Sequence, residues 1–396
     1  MKLLVSSCAR LFKTKDGTIY TPVAYGYDFY KRYLKVFDEV IVAGFCDRID
    51  DEKAKTMLKV SGDKVSFFEL PYPHGEWDYI FKRQKIKREL KNITNACDAM
   101  ILRVPETLCF LIMDIAIRKK FPFAIEVTSD PLNLYTRATC PSKYRLVYKI
   151  WYYIQLRRAS YFARGTSYVT EFGLQKHYPP NLRKKGNFTT FYTDTDIKID
   201  NSIMPREFPK NRTIRLLHIS VLVSGFAKGH KEAIEALNML VKQGFDVELT
   251  LVGDGDLADT ISEYIKNNNL ERYIRRTGKI TSDKVIEELD RADIFFFPSY
   301  NEGLPRVVVE AMSRALPVIA TDIPAHRELL NEKYLAPVMD SKTLADKAAW
   351  IMRDAEAYKR ASRENIEKSK EYDIDIIEKK RTEFYQKIRE TSKKDV

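Results

Sequence analysis

What this chain of 396 residues lacks narrows its identity first. Nowhere do apolar residues run for the roughly 18–20 positions that a membrane-spanning helix needs. The longest candidate, Leu108 to Ile117, is short and carries Asp114. Its five cysteines, at 8, 46, 97, 109 and 140, show no metal-ligand spacing. In a chain of this size they read as reduced thiols of a cytoplasmic protein. The histidines at 74, 177, 218, 230 and 326 share no ligand spacing either, so no metal site is expected. There is no internal repeat and no low-complexity tract. The opening MKLLVSSCAR faintly resembles a lipoprotein signal, but its apolar stretch ends at Arg10, far too early. Secreted, integral-membrane and disulfide-scaffold classes are thereby set aside.

What is present is a folded composition, with 44% apolar and 31% charged residues, long enough for two domains. The net charge of +12 is unevenly placed. Residues 1–198 hold 34 Lys and Arg against 21 Asp and Glu, an excess of 13, while the remainder has 33 against 34. The first half therefore faces something anionic. Its densest part, Pro131–Thr170, has no acid, seven basic residues and nine aromatics. Within it, KYRLVYKIWYYIQLRRASYF reads as a helix with basic residues near both ends. Such a helix suits the headgroup layer of an anionic membrane, a nucleic-acid backbone, or simply a core with solvated charged edges. An anionic membrane surface is kept as a possible partner, and nucleic acid is not expected.

Apolar strands alternate with charged helical stretches, which implies parallel strands and crossover helices. Lys2–Ser6, Val40–Val42 and Phe123–Val127 read as strands, and Ile80–Asn92 as a helix. A polar segment, Thr193–Arg212, follows with little periodicity. After it the rhythm is regular. The strands IRLLHIS, DVELTLVG, Ile274–Gly278 and ADIFFFP alternate with helices, PVIAT is expected as the last strand, and a charged helix, Asp375–Thr391, closes the chain. That is a doubly wound domain, in which ligands collect at the carboxyl ends of the strands.

The most informative stretch is ADIFFFPSYNEGLPRVVVEAMSRALPVIAT, residues 292–321. A buried strand ends at Pro298, a loop carries Glu302 and Gly303, and Pro305 is expected at the first position of a helix. The free N–H groups of Arg306 and Val307 and the helix dipole make an anion site there. Gly303 lets the backbone approach a ligand closely. Glu302 and Glu310 bracket that site, and carboxylates accept hydrogen bonds from hydroxyls. Phosphates and hydroxyls together describe a sugar nucleotide.

The Glu302-x7-Glu310 pair in this setting resembles the signature of retaining GT-B glycosyltransferases of family 4. The similarity extends back through Ala227-Lys228-Gly229-His230, LVGDGDL (251–257) and TGKI (277–280), covering about residues 214–330. The amino-terminal half, in KDGTIYTP, RYLKVFDEV and SYVTEFGLQKHYP, resembles members that build bacterial surface polysaccharides. The resemblance implies an α/β chain of two Rossmann-like domains facing a cleft. Residues 1–198 would bind the acceptor, 199–212 would link, 213–371 would bind the nucleotide sugar, and 372–396 would cross back as a helix.

By the same resemblance Glu310 would hold the donor ribose and Glu302 the transferred sugar. Gly303, Leu304 and the amides around Pro305, Arg306 and Val307 would cradle the diphosphate. Lys228 would neutralise it as it leaves, Gly253 would border the site, and backbone near Lys279 and Ile280 would read the base. The family's Arg before the KG lysine falls at Val221 or Leu222, so Arg306 is expected to supply that charge. The family's amino-terminal His falls at Ser129 or Asp130, and Asp130 is taken as the catalytic helper. Ile323-Pro324-Ala325 replaces the usual Gly-Gly and should stiffen that loop.

Two patterns mislead. Asp194-Thr195-Asp196 has the spelling of the metal motif in the other major glycosyltransferase fold, but it opens the presumed linker. GDGD (253–256) fails the G-x-G-x-x-G spacing and is expected to cap the next helix. No metal and no cofactor beyond the nucleoside diphosphate sugar is expected. The acceptor would be a glycan, or a glycan on a lipid diphosphate, in bacterial surface polysaccharide synthesis at the cytoplasmic face. A sugar-phosphate-using phosphorylase and a non-catalytic scaffold of the same fold are the rival readings.

Overall fold

The computed structural model describes residues 1–394 except 8, 23, 24, 75, 138, 141 and 223–226. The chain separates into two compact units, 1–129 with 150–192 and 378–396, and 130–149 with 193–377. The expected boundary at 198/199 therefore moves to 192/193. The reason is local: the Ile374 N–H donates to Ile197 O and the Ile199 N–H to Asp373, which fasten that segment inside the second unit. Residues 130–149 also count with the second unit rather than the first. The closing helix, Ile374–Lys394, belongs to the first unit from Glu378 onward.

The first unit is built on β1 (Lys2–Ser6), β2 (Leu11–Lys13), β3 (Ile19–Thr21), β4 (Glu39–Arg48), β5 (Leu58–Lys59), β6 (Val65–Pro71), β7 (Ala99–Val104), β8 (Ala124–Val127), β9 (Gly165–Tyr168) and β10 (Phe188–Phe191). Its path runs β10-β9-β8-β7-β1-β4-β2-β3-β5, with β6 on β4. The parallel body is buried throughout β7, β8 and β9, as strands covered on both faces must be. The antiparallel pair β2–β3 grows from the far end of β4, where Leu11 lies opposite Cys46. At the end of β8 the buried Glu126 accepts from Tyr33 at 2.9 Å, Tyr192 at 2.8 Å and Tyr385 at 3.0 Å, and pairs with Arg103. Tyr385 thereby fastens the closing helix to the sheet.

The second unit's sheet comprises β11 (Ile214–Ile219), β12 (Val247–Val252), β13 (Ile274–Gly278), β14 (Ile294–Phe297), β15 (Val318–Thr321) and β16 (Leu335–Ala336). All are parallel, in the order β13-β12-β11-β14-β15-β16. The order reverses between β11 and β14, the switch point at which open α/β sheets bind ligands. PVIAT is not the last strand: the two-residue β16 pairs Ala320 with Leu335. The buried runs IFFF and VIAT fill the centre. Arg206, in the polar connecting segment, donates to the carbonyls of Leu289, Ala292 and Arg314. It satisfies the ends of two helices that would otherwise lack partners.

Candidate active site

The site forms where the chain leaves β11 and β14. After β14, Pro298 and Ser299 lead into the loop that carries Glu302, and the helix Arg306–Ser313 follows. Pro305 is the residue capping that helix rather than its first member, so Arg306 and Val307 supply the first free amides. After β11, Lys228 and Gly229 lead into the helix His230–Lys242. Gly229 takes φ +76°, and a Cβ there would stand 2.1 Å from Pro298 O. Only glycine allows that approach. The Tyr300 N–H donates to Ala227 O at 2.9 Å, which fixes the two loops to each other.

This join brings Lys228 Nζ to 2.7 Å from Glu302 Oε1, with the side chains 25% and 13% exposed. Ser299 Oγ donates to the same carboxylate oxygen at 2.6 Å. A lysine and a carboxylate are thus held together at the switch point, within reach of solvent. Glu310, on the helix, is half-buried, and burial raises its pKa against the opposing effect of Arg306. Arg306 is exposed, stands 4.0 Å from Asp196, and its charge opposes the effect of burial on Glu310.

A floor of histidines lies under the pair, and sequence spacing gave no hint of it. His218, in β11, donates through Nδ1 to Phe296 O at 2.9 Å, and its Nε2 accepts from Ser220 Oγ at 2.9 Å. Ser220 also meets His230 Nε2 at 3.1 Å. His326 bonds Thr321 O through Nδ1 at 2.7 Å, while Thr321 donates to Ser299 O. Burial pushes His218 and His326 down to about 4 and His230 to about 2, so all three are neutral near pH 7. A polar residue inside the apolar run of β11 was the available signal for His218. Ile323-Pro324-Ala325 forms a helical turn, Pro324–Arg327, that buries His326.

The remaining expected residues are placed differently. Gly303 is half-buried and Leu304 buried beside Glu302. Gly253 takes φ +131° with a virtual Cβ 1.9 Å from Ser220 O, so chain packing already demands glycine there. GDGD does not cap the following helix: Leu257 precedes it with no side-chain cap, and Asp254 instead accepts from the Gly255 N–H. Lys279 is exposed and Ile280 half-buried after β13. Asp130 accepts from Leu132 N at 2.9 Å and caps the short helix Pro131–Leu134. That carboxylate thus has structural work, and it counts with the second unit rather than the first. Val221 is exposed and Leu222 buried, neither supplying charge, and the 223–226 stretch before the KG pair lies outside the described residues.

The chain is similar to several known proteins. Residues 204–368 match the family model for glycosyl transferases group 1. Protein CapJ of Staphylococcus aureus is 28% identical over 341 residues, covering 85% of this chain and 82% of its own. The amylovoran biosynthesis glycosyltransferase AmsK of Erwinia amylovora is 33% identical over 144 residues, 34% of this chain and 35% of its own. Among solved structures, Anabaena HepE in complex with UDP superposes with a TM-score of 0.64 at 17% identity, covering 97% of this chain and 99% of its own. The fold is that of GT-B glycosyltransferases, residues 204–368 match the glycosyl transferases group 1 model, and the chain is a glycosyltransferase.

Proposed function

We propose that the chain moves a hexose-type sugar from a nucleoside diphosphate sugar to a growing glycan, carried on a lipid diphosphate, with retention at the anomeric carbon and without a metal. The observation that carries this reading is the Lys228–Glu302 pair at the switch point, one loop away from the helix start at Arg306 and from Glu310. In this reading Glu310 accepts the ribose hydroxyls of the donor and Glu302 a hydroxyl of the sugar. The backbone N–H groups of Gly303, Leu304, Arg306 and Val307, with Lys228, hold the diphosphate. As the glycosidic bond breaks, negative charge grows on the departing phosphate, and the lysine and amides stabilise it most at that moment. The base lies over Gly253, Lys279 and Ile280. Arg306 adds positive charge at the same edge of the site, and Asp130 is the candidate helper in the transfer.

AmsK, named for amylovoran biosynthesis, and HepE, solved with UDP, support a polysaccharide product and a uridine donor. The basic excess of residues 1–198 suits an acceptor that carries phosphate. No helix among the described residues is long and apolar enough to cross a membrane. In this reading a lipid-linked acceptor is met at the cytoplasmic bilayer face. The test is transfer from a panel of nucleoside diphosphate sugars, with the anomeric configuration of the product read by NMR. Retained configuration supports the reading. Inversion, or release of a sugar phosphate in place of transfer, overturns it.

A further inference from the structure

Three helices end at the amino-terminal edge of the first unit's sheet: Glu76–Leu90 before β7, Thr107–Arg118 before β8, and Arg145–Phe162, which belongs to that unit from Ile150 onward, before β9. Between them lies an open groove of 670 Å³ with an apolar floor that includes Leu90, Leu111 and Ile115. Lys87, Lys91, Arg118, Lys119 and Arg158 stand around it with one carboxylate, Asp114. Asp114 takes Arg158 at 3.0 Å, which leaves the balance strongly positive. Arg158 also borders a second hollow, shared with Arg157, Tyr161 and Phe162.

Beside this groove the third helix leaves apolar side chains in solvent. Ile150 is 60% exposed, Ile154 49%, Tyr161 57% and Phe162 45%. The spacing of Ile150, Ile154 and Tyr161 places them on one face, opposite the fully buried Leu156 and Ala159, and Phe162 borders that face. Trp151 turns partly inward, edge-on to Phe110 at 5.6 Å. Cations at helix carboxyl ends complement the helix dipoles, which accounts for the charge. It does not account for exposed isoleucine and phenylalanine next to it, and neither a soluble phosphate nor a nucleic-acid backbone needs them.

We propose that this surface docks the chain on an anionic bilayer. The cation-rimmed groove takes lipid phosphate headgroups, and Ile150, Ile154, Tyr161 and Phe162 enter the boundary between headgroups and acyl chains. The helix then lies along the membrane plane. The assignment deepens, and rests on, the reading of the acceptor as lipid-linked: docking raises the concentration of such an acceptor around the enzyme.

The experiment is co-sedimentation of the full chain with vesicles of phosphatidylglycerol or of phosphatidylcholine, with UDP binding followed by calorimetry on the same samples. Binding to phosphatidylglycerol is expected to exceed binding to phosphatidylcholine and to weaken steeply with salt, because the attraction is screened within about 8 Å at physiological ionic strength. Lys87→Glu with Lys91→Glu should weaken it by about thirtyfold or more, from the contribution of two cations near such a surface. Ile154→Ser with Phe162→Ser should also weaken it, and neither pair should change UDP affinity. Equal binding to both lipids, or partition unchanged in both variant pairs, overturns the proposal. So does a concentration-dependent dimer that Ile154→Ser with Phe162→Ser dissolves, since a second copy would then cover this face. A chain that binds UDP but ignores phosphatidylglycerol sinks the docking alone. One that docks but binds no nucleotide sinks the donor reading alone.

Discussion

Mild acid should loosen the second unit before ordinary carboxylates begin to titrate. His218, His230 and His326 are buried and neutral, with burial pushing them from 6.5 down to about 4, about 2 and about 4. The unfolded chain takes up a proton at each near pH 6.5, whereas the folded chain resists until far lower pH. Stability is therefore fully present above pH 6.5 and falls as the pH drops through that value toward the folded-state values. Between pH 7 and 5.5 each histidine should remove about 1 kcal/mol, and the three together roughly 3 kcal/mol. That is a large share of the 5–15 kcal/mol that typically holds a domain folded. The assay is urea unfolding at the two pH values for the parent and for His218→Asn and His326→Asn. Each variant costs stability of its own, so the reading is the pH-dependent part, in which other titrating groups cancel. Each should lose about 1 kcal/mol of that part. A pH dependence identical in parent and variants would refute the buried, neutral assignment.

Lys228→Ala should lower kcat by about 10²-fold with a smaller change in donor affinity, as removal of one electrostatic contact to a departing group does; a larger effect from Arg306→Ala would exchange their roles. Turnover should persist in excess EDTA, since lysine and helix-start amides stand where a metal would otherwise neutralise the diphosphate. Activity abolished by chelation and restored by a divalent cation would bring Asp194 and Asp196 back as ligands. Glu126→Ala should cost about 3–5 kcal/mol in urea unfolding, because Arg103 and Arg32 would be left buried without their carboxylate; a loss under 1 kcal/mol would refute the cluster's role.

The second unit was legible because its strands are buried on both faces and read as unbroken apolar runs, such as IFFF and VIAT. The join of Lys228 to Glu302 was legible only through resemblance, since 74 residues separate them and nothing local announces the pairing. In the first unit β2, β3 and β5 escaped notice because two- and three-residue strands carry almost no period. β16 escaped for the same reason. The boundary at 192/193 depends on backbone hydrogen bonds to Asp373 and Ile374, which composition cannot show. Asp130 came forward as a helper only through the resemblance, and the Asp-Pro spelling at 130–131 also announces the helix start that its carboxylate caps. The basic aromatic helix proved divided: Tyr152 and Trp151 pack on Phe110, while Ile154 and Phe162 face solvent.

The proposed transfer depends above all on the loop after β14 and the helix from Arg306 holding the donor's nucleoside diphosphate. Calorimetric titration of UDP into the parent chain and into Glu310→Gln tests it directly. A ribose contact that loses its charged partner should weaken binding by about 1–2 kcal/mol, roughly five- to thirtyfold in Kd. Saturable binding by the parent with that loss in the variant is the predicted result. Equal affinity in the two proteins would contradict it and remove Glu310 from the site.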